Sequence, residues 1–274
     1  MQAHKHRPTP SPRRSSRCGE GRREGPADSQ DPATAPHPNL PTAKSGERQT
    51  RDLRSYGRRR GRKPSVRQAA LLAHTLPALA LDLASPPPSP LATLFAAPVE
   101  EVWLEIGFGG AEHLLWQARA NPRAGLIGCE PFEDGVVKAL AGVEQEGLGN
   151  VRLHADDARP LLRWLPAASI GRAFILFPDP WPKKRHHKRR LVSAATLADL
   201  ARVLRPGGEL RIATDIGDYA AWILLAARRQ PSFRWAAAGP SDWRTRGPDW
   251  PPTRYEEKAL AAGRRCAYFR FLRA

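Results

Sequence analysis

From about residue 98 onward the chain alternates short apolar runs with stretches of helical period, and no other feature constrains the fold as much. Residues 102–106, 125–129, 151–154, 173–177 and 209–213 read as strands. Residues 111–120, 133–146, 190–204 and 218–229 read as helices. Strands that take turns with helices predict parallel pairing, because each parallel partner must be reached by a crossover. The helix over 190–204 is expected to stop at Pro206-Gly207-Gly208. Residues 233–237 and 266–272 are expected to form a closing antiparallel pair. The expected fold class is α/β: a Rossmann-like, mostly parallel, doubly wound sheet closed by an antiparallel strand pair.

The stretch before this pattern is different. Residues 1–65 are rich in Pro, Ser and Arg with almost no periodic apolar residues, and read as a disordered extension. Residues 66–274 then form one folded domain. The extension holds 16 Lys and Arg against 6 Asp and Glu, over half of the net +17. A pI near 10.9 points to a polyanionic partner. A basic tail raises non-specific affinity for a phosphate backbone and specifies no sequence. The densest part is 58–63, which serves equally as a solvated linker or an RNA contact.

Cys18, Cys129 and Cys266 stand far apart, so neither a zinc site nor a disulfide framework is expected. The N-terminus lacks the apolar core of a signal peptide. The longest near-apolar stretches, such as 219–227, are too short to span a bilayer. A cytoplasmic protein is expected, with no membrane, no metal and no obligate protein partner.

In doubly wound sheets ligands bind outside the carboxyl ends of the strands, so the strand ends carry the chemistry. The first strand runs into Glu105-Ile106-Gly107-Phe108-Gly109-Gly110. Glycines there let the backbone turn tightly and approach a ligand, although a purely structural turn uses them too. A dinucleotide site wants a third glycine at position 112, which is Glu112. The second strand ends at Glu130, placed to accept from ribose hydroxyls of either NAD or S-adenosylmethionine. After the third strand, Asp156-Asp157 offers an acceptor for an adenine amino group or a helix cap.

The fourth strand ends in Phe177-Pro178-Asp179-Pro180-Trp181-Pro182. Prolines fix the backbone around one carboxylate, and an indole two residues on can stack on a base. Lys183-Lys184-Arg185-His186-His187-Lys188-Arg189-Arg190 follows, six permanent positive charges in eight residues, best explained by phosphate contacts. Its adjacent histidines point apart on a helix and lack partners at ligand spacing, which argues against a metal. The fifth strand ends in Ala213-Thr214-Asp215. Residues 243–252 read as a substrate loop or an irregular surface segment leading to Thr253-Arg254-Tyr255-Glu256.

These motifs, in this order, resemble the bacterial tRNA (guanine-N7)-methyltransferases from about Arg54 to the C-terminus. The resemblance rests on 104–109, 128–130, 177–181, 188–190, 213–215 and 253–256. It implies a class I methyltransferase fold and methyl transfer from S-adenosyl-L-methionine to N7 of the variable-loop guanine, position 46, of tRNA. It implies cofactor contacts at Glu105, Gly107, Gly109, Glu130, Asp157 and Asp179, with Asp179 catalytic. It implies substrate contacts at Lys183, Asp215, Thr253, Arg254, Tyr255 and Glu256, and RNA contacts along Arg185, His186, His187, Lys188, Arg189 and Arg190. Two positions depart from the pattern: Ala111 stands where the family usually carries glycine, with Gly110 expected to relieve the backbone, and Arg254 replaces the commoner Lys. The alternatives are an NAD-dependent dehydrogenase, a non-catalytic RNA-binding protein and a methyltransferase for another substrate. The first lacks a full glycine fingerprint, the second has no need of aligned carboxylates, and the basic run argues against the third.

Overall fold

The computed structural model describes residues 56, 57, 59–61 and 63–274. The expectation of disorder over residues 1–55 therefore lies outside the described residues. Within the described part of that extension, Ser65 opens a helical stretch by a capping box with Gln68. The stretch runs as α1 (Val66–Ala70), a π turn (Leu71–Thr75) and α2 (Leu76–Leu79).

The body follows the alternation predicted from sequence. Its elements are β1 (Glu101–Ile106), α3 (Glu112–Ala120), β2 (Ala124–Cys129), α4 (Glu133–Glu146), β3 (Val151–His154), α5 (Ala158–Trp164), β4 (Ile170–Leu176), α6 (Ala194–Val203), β5 (Leu204–Thr214), α7 (Gly217–Arg228), β6 (Phe233–Trp235), α8 (Ser241–Arg244), α9 (Arg254–Ala261) and β7 (Ala267–Arg273). The strands form one sheet in the order β3-β2-β1-β4-β5-β7-β6. The first five are parallel, and β7 runs antiparallel to both β5 and β6. The closing antiparallel pair stands as expected.

Inner strands covered on both faces should be apolar throughout, and all six residues of β2 are buried. Side chains alternate between two cores. Val102, Leu104 and Ile106 of β1 join Leu161, Leu197, Tyr219 and Ile223 on one face. Trp103 joins Leu126, Phe174, Leu114 and Leu140 on the other. The sheet order reverses direction at β1, between β2 and β4, and that switch opens a crevice at the carboxyl edge.

One expectation is corrected. The helix expected over 190–204 begins at Ala194, because Ser193 caps it by accepting from the Thr196 N–H. It ends before Leu204, where the backbone turns extended, and Pro206-Gly207-Gly208 lies inside β5 beside a register shift against β4. The proline and glycines there shape a bulge, not a helix stop. Residues 245–252 form an irregular, largely exposed segment pinned by Trp250, which is buried against Tyr268.

Among the described residues no helix is long and apolar enough to cross a membrane, and no group of three or more metal-ligating side chains comes together.

Candidate functional site

The strand ends named from sequence converge on the carboxyl edge of the sheet. After β1, Gly107 has φ +78° and Gly109 φ +55°, conformations that side chains resist. A Cβ on Gly107 would meet nothing within 4 Å, so the loop leaves open space where a ligand can lie against backbone. Gly109 is approached from outside by the ring of Tyr255. Gly110 does not relieve the turn. Ala111 itself takes the left-handed conformation, φ 64° and ψ 12°, at the entry to α3. For a residue with a Cβ this costs about 1 kcal/mol or more.

Glu105 points inward and pairs with His113, Nδ1 to Oε2 at 2.8 Å, both nearly fully buried. Glu130 holds the glycine loop: its Oε2 accepts from the Gly109 N–H at 2.8 Å and its Oε1 from the Phe132 N–H at 3.0 Å. Burial pushes the Glu130 carboxyl up, the two amide bonds pull it down, and the nearby Asp179 and Glu105 charges add to the rise. The net direction is up. Asp157 caps α5, accepting from the Arg159 N–H at 2.9 Å and from the Arg159 guanidinium at 2.7 Å. Burial alone would raise its pKa, but the Arg159 hydrogen bonds and charge hold it below the usual carboxylate value. The cap reading of Asp157 is thus realised, and Asp156 reaches Arg59 instead.

Asp179 is the exception among these acids. Among the described residues no donor lies within hydrogen-bond reach of its carboxylate. Surrounding atoms still push its pKa up by burial, although one side opens to solvent. The loop around it is strained: Phe177 has φ 51° and Trp181 φ 42°, two bulky residues in left-handed conformations flanking Pro178-Asp179-Pro180. An unpaired acceptor held in strained backbone at a crevice is the mark of a site arranged for a ligand.

The basic arm that follows divides. Residues 184–189 form a 3-10 turn. Lys183, Lys184, Arg185 and Lys188 are exposed, while His186 and His187 are half-buried. Arg189 lies between two rings, its guanidinium carbon 4.8 Å from the centre of Tyr56 and 4.9 Å from that of Trp181. Arg190, expected with its neighbours at the RNA face, is only 4% exposed. It donates from Nε to the Pro180 carbonyl at 2.9 Å, pairs with Asp218, and packs over Tyr219 and Trp222. This buried guanidinium anchors the Asp179 loop through its Nε, while its Nη1 finds no hydrogen-bond partner among the described residues.

Asp215 pairs with Arg264 at 2.6 Å. Thr253 caps α9 by accepting from the Glu256 N–H. Glu256 is buried and accepts from Arg246 at 2.9 Å and from the Tyr268 hydroxyl at 2.6 Å. Arg254 and Tyr255 point back to the glycine loop, Arg254 Nε lying 3.6 Å from Glu112 Oε1. Sequence reasoning missed Tyr56, Arg159, His113 and Gln117. Tyr56 sits inside a run of arginines, and a lone aromatic there was its only signal. The pairing of His113 carried no local signal, because its partner lies on a strand.

A parallel sheet of this order with an antiparallel seventh strand, a glycine loop after β1 and carboxylates along its carboxyl edge defines a class I methyltransferase. A family profile described as "Putative methyltransferase" matches residues 99–268. The chain is 52% identical over 218 residues to a tRNA (guanine-N(7)-)-methyltransferase of Nitrobacter hamburgensis, covering 80% of this chain and 86% of that protein. It is 50% identical over 230 residues to the corresponding protein of Rhodospirillum rubrum, covering 83% and 90%. Among solved structures it is similar to the 16S rRNA methyltransferase KamB, with TM-score 0.48 and 17% identity over 64% of this chain and 89% of that one. The chain belongs to the tRNA (guanine-N(7)-)-methyltransferase family.

Proposed function

We propose that the chain transfers a methyl group from S-adenosyl-L-methionine to N7 of the variable-loop guanine, position 46, of tRNA in the cytoplasm. The observation that carries this reading is the Asp179 carboxylate, without a hydrogen-bond partner among the described residues, in its strained loop and close enough to Glu130 to raise that carboxyl's pKa. When bound, the cofactor supplies a methyl on a sulfonium centre. The residues present fit it: a Cβ at Gly107 would occupy the room the backbone leaves open, and Glu130 keeps lone pairs beyond its two amide bonds for ribose hydroxyls.

Guanine N7 already carries an in-plane lone pair, so no proton has to leave before attack. The protein's task is positioning, which supplies on the order of 7 to 11 kcal/mol in well-oriented intramolecular reactions. Asp179 accepts from the N–H edge of the base and offsets the positive charge that develops on the purine. Its raised pKa comes from a partly desolvated setting, where such a charge interaction is strongest. Trp181 borders the base, while Lys183, Arg185 and Lys188 meet phosphates from the exposed side of the arm. Arg254 and Tyr255 close the crevice over the glycine loop, and Thr253 and Glu256 shape the helix that presents them.

The test is incubation of the purified protein with methyl-labelled S-adenosylmethionine and unmodified tRNA, followed by nucleoside identification. Labelled 7-methylguanosine at the variable loop is expected. Label in another nucleoside, or none, overturns the reading.

A further inference from the structure

His113 and Gln117 lie one turn apart on α3, each 1% exposed. Their surroundings are apolar: Leu114, Ala118, Trp103 and Phe174 fill the same core, and the His113 ring meets Phe174 edge-on at 4.7 Å. Leucine or methionine would pack there without needing partners, whereas buried polar groups cost free energy unless every one is bonded. Here each is. His113 Nδ1 meets Glu105 Oε2 at 2.8 Å. The Gln117 amide nitrogen lies 3.1 Å from His113 Nε2 and donates to the Asp249 carbonyl at 2.9 Å. Gln117 Oε1 accepts from Asn121 at 3.0 Å.

The network fixes its own polarity. The Asn121 donor and the Asp249 acceptor decide which end of the Gln117 amide is nitrogen. That nitrogen makes His113 Nε2 the acceptor, so the ring carries its proton on Nδ1, toward Glu105. One directed chain therefore runs from the end of β1 through α3 to Asp249. Asp249 is held on its other side by Arg211 at 2.7 Å, and four residues later Thr253 starts the helix that lays Tyr255 over Gly109.

We propose that His113 and Gln117 are a positioning pair that sets the 249–256 segment from the placement of Glu105, so that the substrate side of the crevice is built in register with the cofactor side. The inference rests on the roles given above to Glu105 and to residues 253–256. Gln117→Met tests it. The change keeps the volume and the Glu105–His113 bond, and removes both donors toward His113 and Asp249. The expected result is a KM for tRNA raised about three- to tenfold, from the loss of ordinary hydrogen bonds, with the cofactor Kd titrated without tRNA unchanged. His113→Asn keeps a donor for Glu105 and ends short of Gln117. It is expected to give the same split, and it decides the matter if Gln117→Met does not fold. A merely structural role would lower the folded fraction and the apparent kcat while leaving KM alone, and that outcome overturns the proposal. An equal rise in cofactor Kd and tRNA KM overturns it as well, since the effect would then be general. The wild-type enzyme in the same assay separates the two levels. No transfer by wild type removes the functional reading and this inference with it, whereas transfer by wild type with an unchanged KM in the folded variant removes the inference alone.

Discussion

Arg190→Met removes a buried cation from beneath the Asp179 loop. The Arg190 side chain is 1% exposed and makes two polar contacts, to the Pro180 carbonyl and to Asp218. The bond to Pro180 is charge-assisted and buried at one end, worth about 1.5–3 kcal/mol. The Asp218 contact adds little, because Asp218 is 66% exposed and returns to water when released. Packing over Tyr219 and Trp222 is partly kept by methionine. Because the partnerless Nη1 is removed as well, the net loss is at most about 1.5–3 kcal/mol. For a body of this size that lowers Tm by at most about 5–10 °C. Because the Pro180 carbonyl adjoins Asp179, single-turnover methyl transfer should also slow in the folded fraction. Thermal unfolding and rapid-quench transfer at saturating tRNA and cofactor are the measurements. A Tm shift under about 2 °C, together with a loss of tRNA affinity, would show that Arg190 meets RNA and is not the anchor of the loop.

Asp179→Asn should slow single-turnover transfer about tenfold to over a hundredfold, by loss of charge-assisted hydrogen bonds to the base; a stable variant with the wild-type rate refutes its catalytic role. The same variant should unfold at a higher temperature at pH 7. The folded-state pKa of Asp179 is raised by burial, so its stabilising contribution is present below the unfolded value near 4 and is lost as pH rises through the folded value. The gain from Asn should vanish in acid, which a pH series of melting curves checks. Asp218 behaves oppositely: the Arg190 hydrogen bond holds its pKa down, so its contribution exists above about pH 4 and disappears as pH falls through the folded value. Melting curves of Arg190→Met should accordingly lose this part of the acid limb. Glu130→Ala should weaken cofactor binding in calorimetric titration, because it removes a ribose acceptor and frees the Gly109 and Phe132 amides; equal affinities would take Glu130 out of the site. Deleting residues 1–50 should leave the melting curve of the body unchanged while reducing tRNA affinity at low salt, and a truncated chain that fails to fold in circular dichroism contradicts this.

Much of the fold was legible because its signals are local. Helix 133–146 and strand 151–154 were read with the bounds the structure has, since an amphipathic period and an alternating edge strand are written in neighbouring residues. The role of Pro206-Gly207-Gly208 was misread for the same reason. A Pro-Gly-Gly triplet has the same local character in a helix stop and in a strand bulge, and only pairing with β4 selects the bulge. In the site, the types of residue at each strand end were legible, and their partners were not.

By itself the sequence determined that strands and helices alternate, that glycines follow the first strand, that Asp179 is bracketed by prolines, and that a dense positive run adjoins it. Those properties need only the covalent order of the residues. The tertiary structure decided what each charged side chain faces. It gave Asp179 no partner among the described residues, turned Asp157 into a helix cap, joined Glu105 to His113, and drew Arg190 out of the basic run into the core while Lys188 stayed in solvent. Charge and size are fixed by residue type, but burial and hydrogen-bond partners depend on residues distant in the chain. Arg190 and Asp218, 28 positions apart, become neighbours only when α7 packs against the arm.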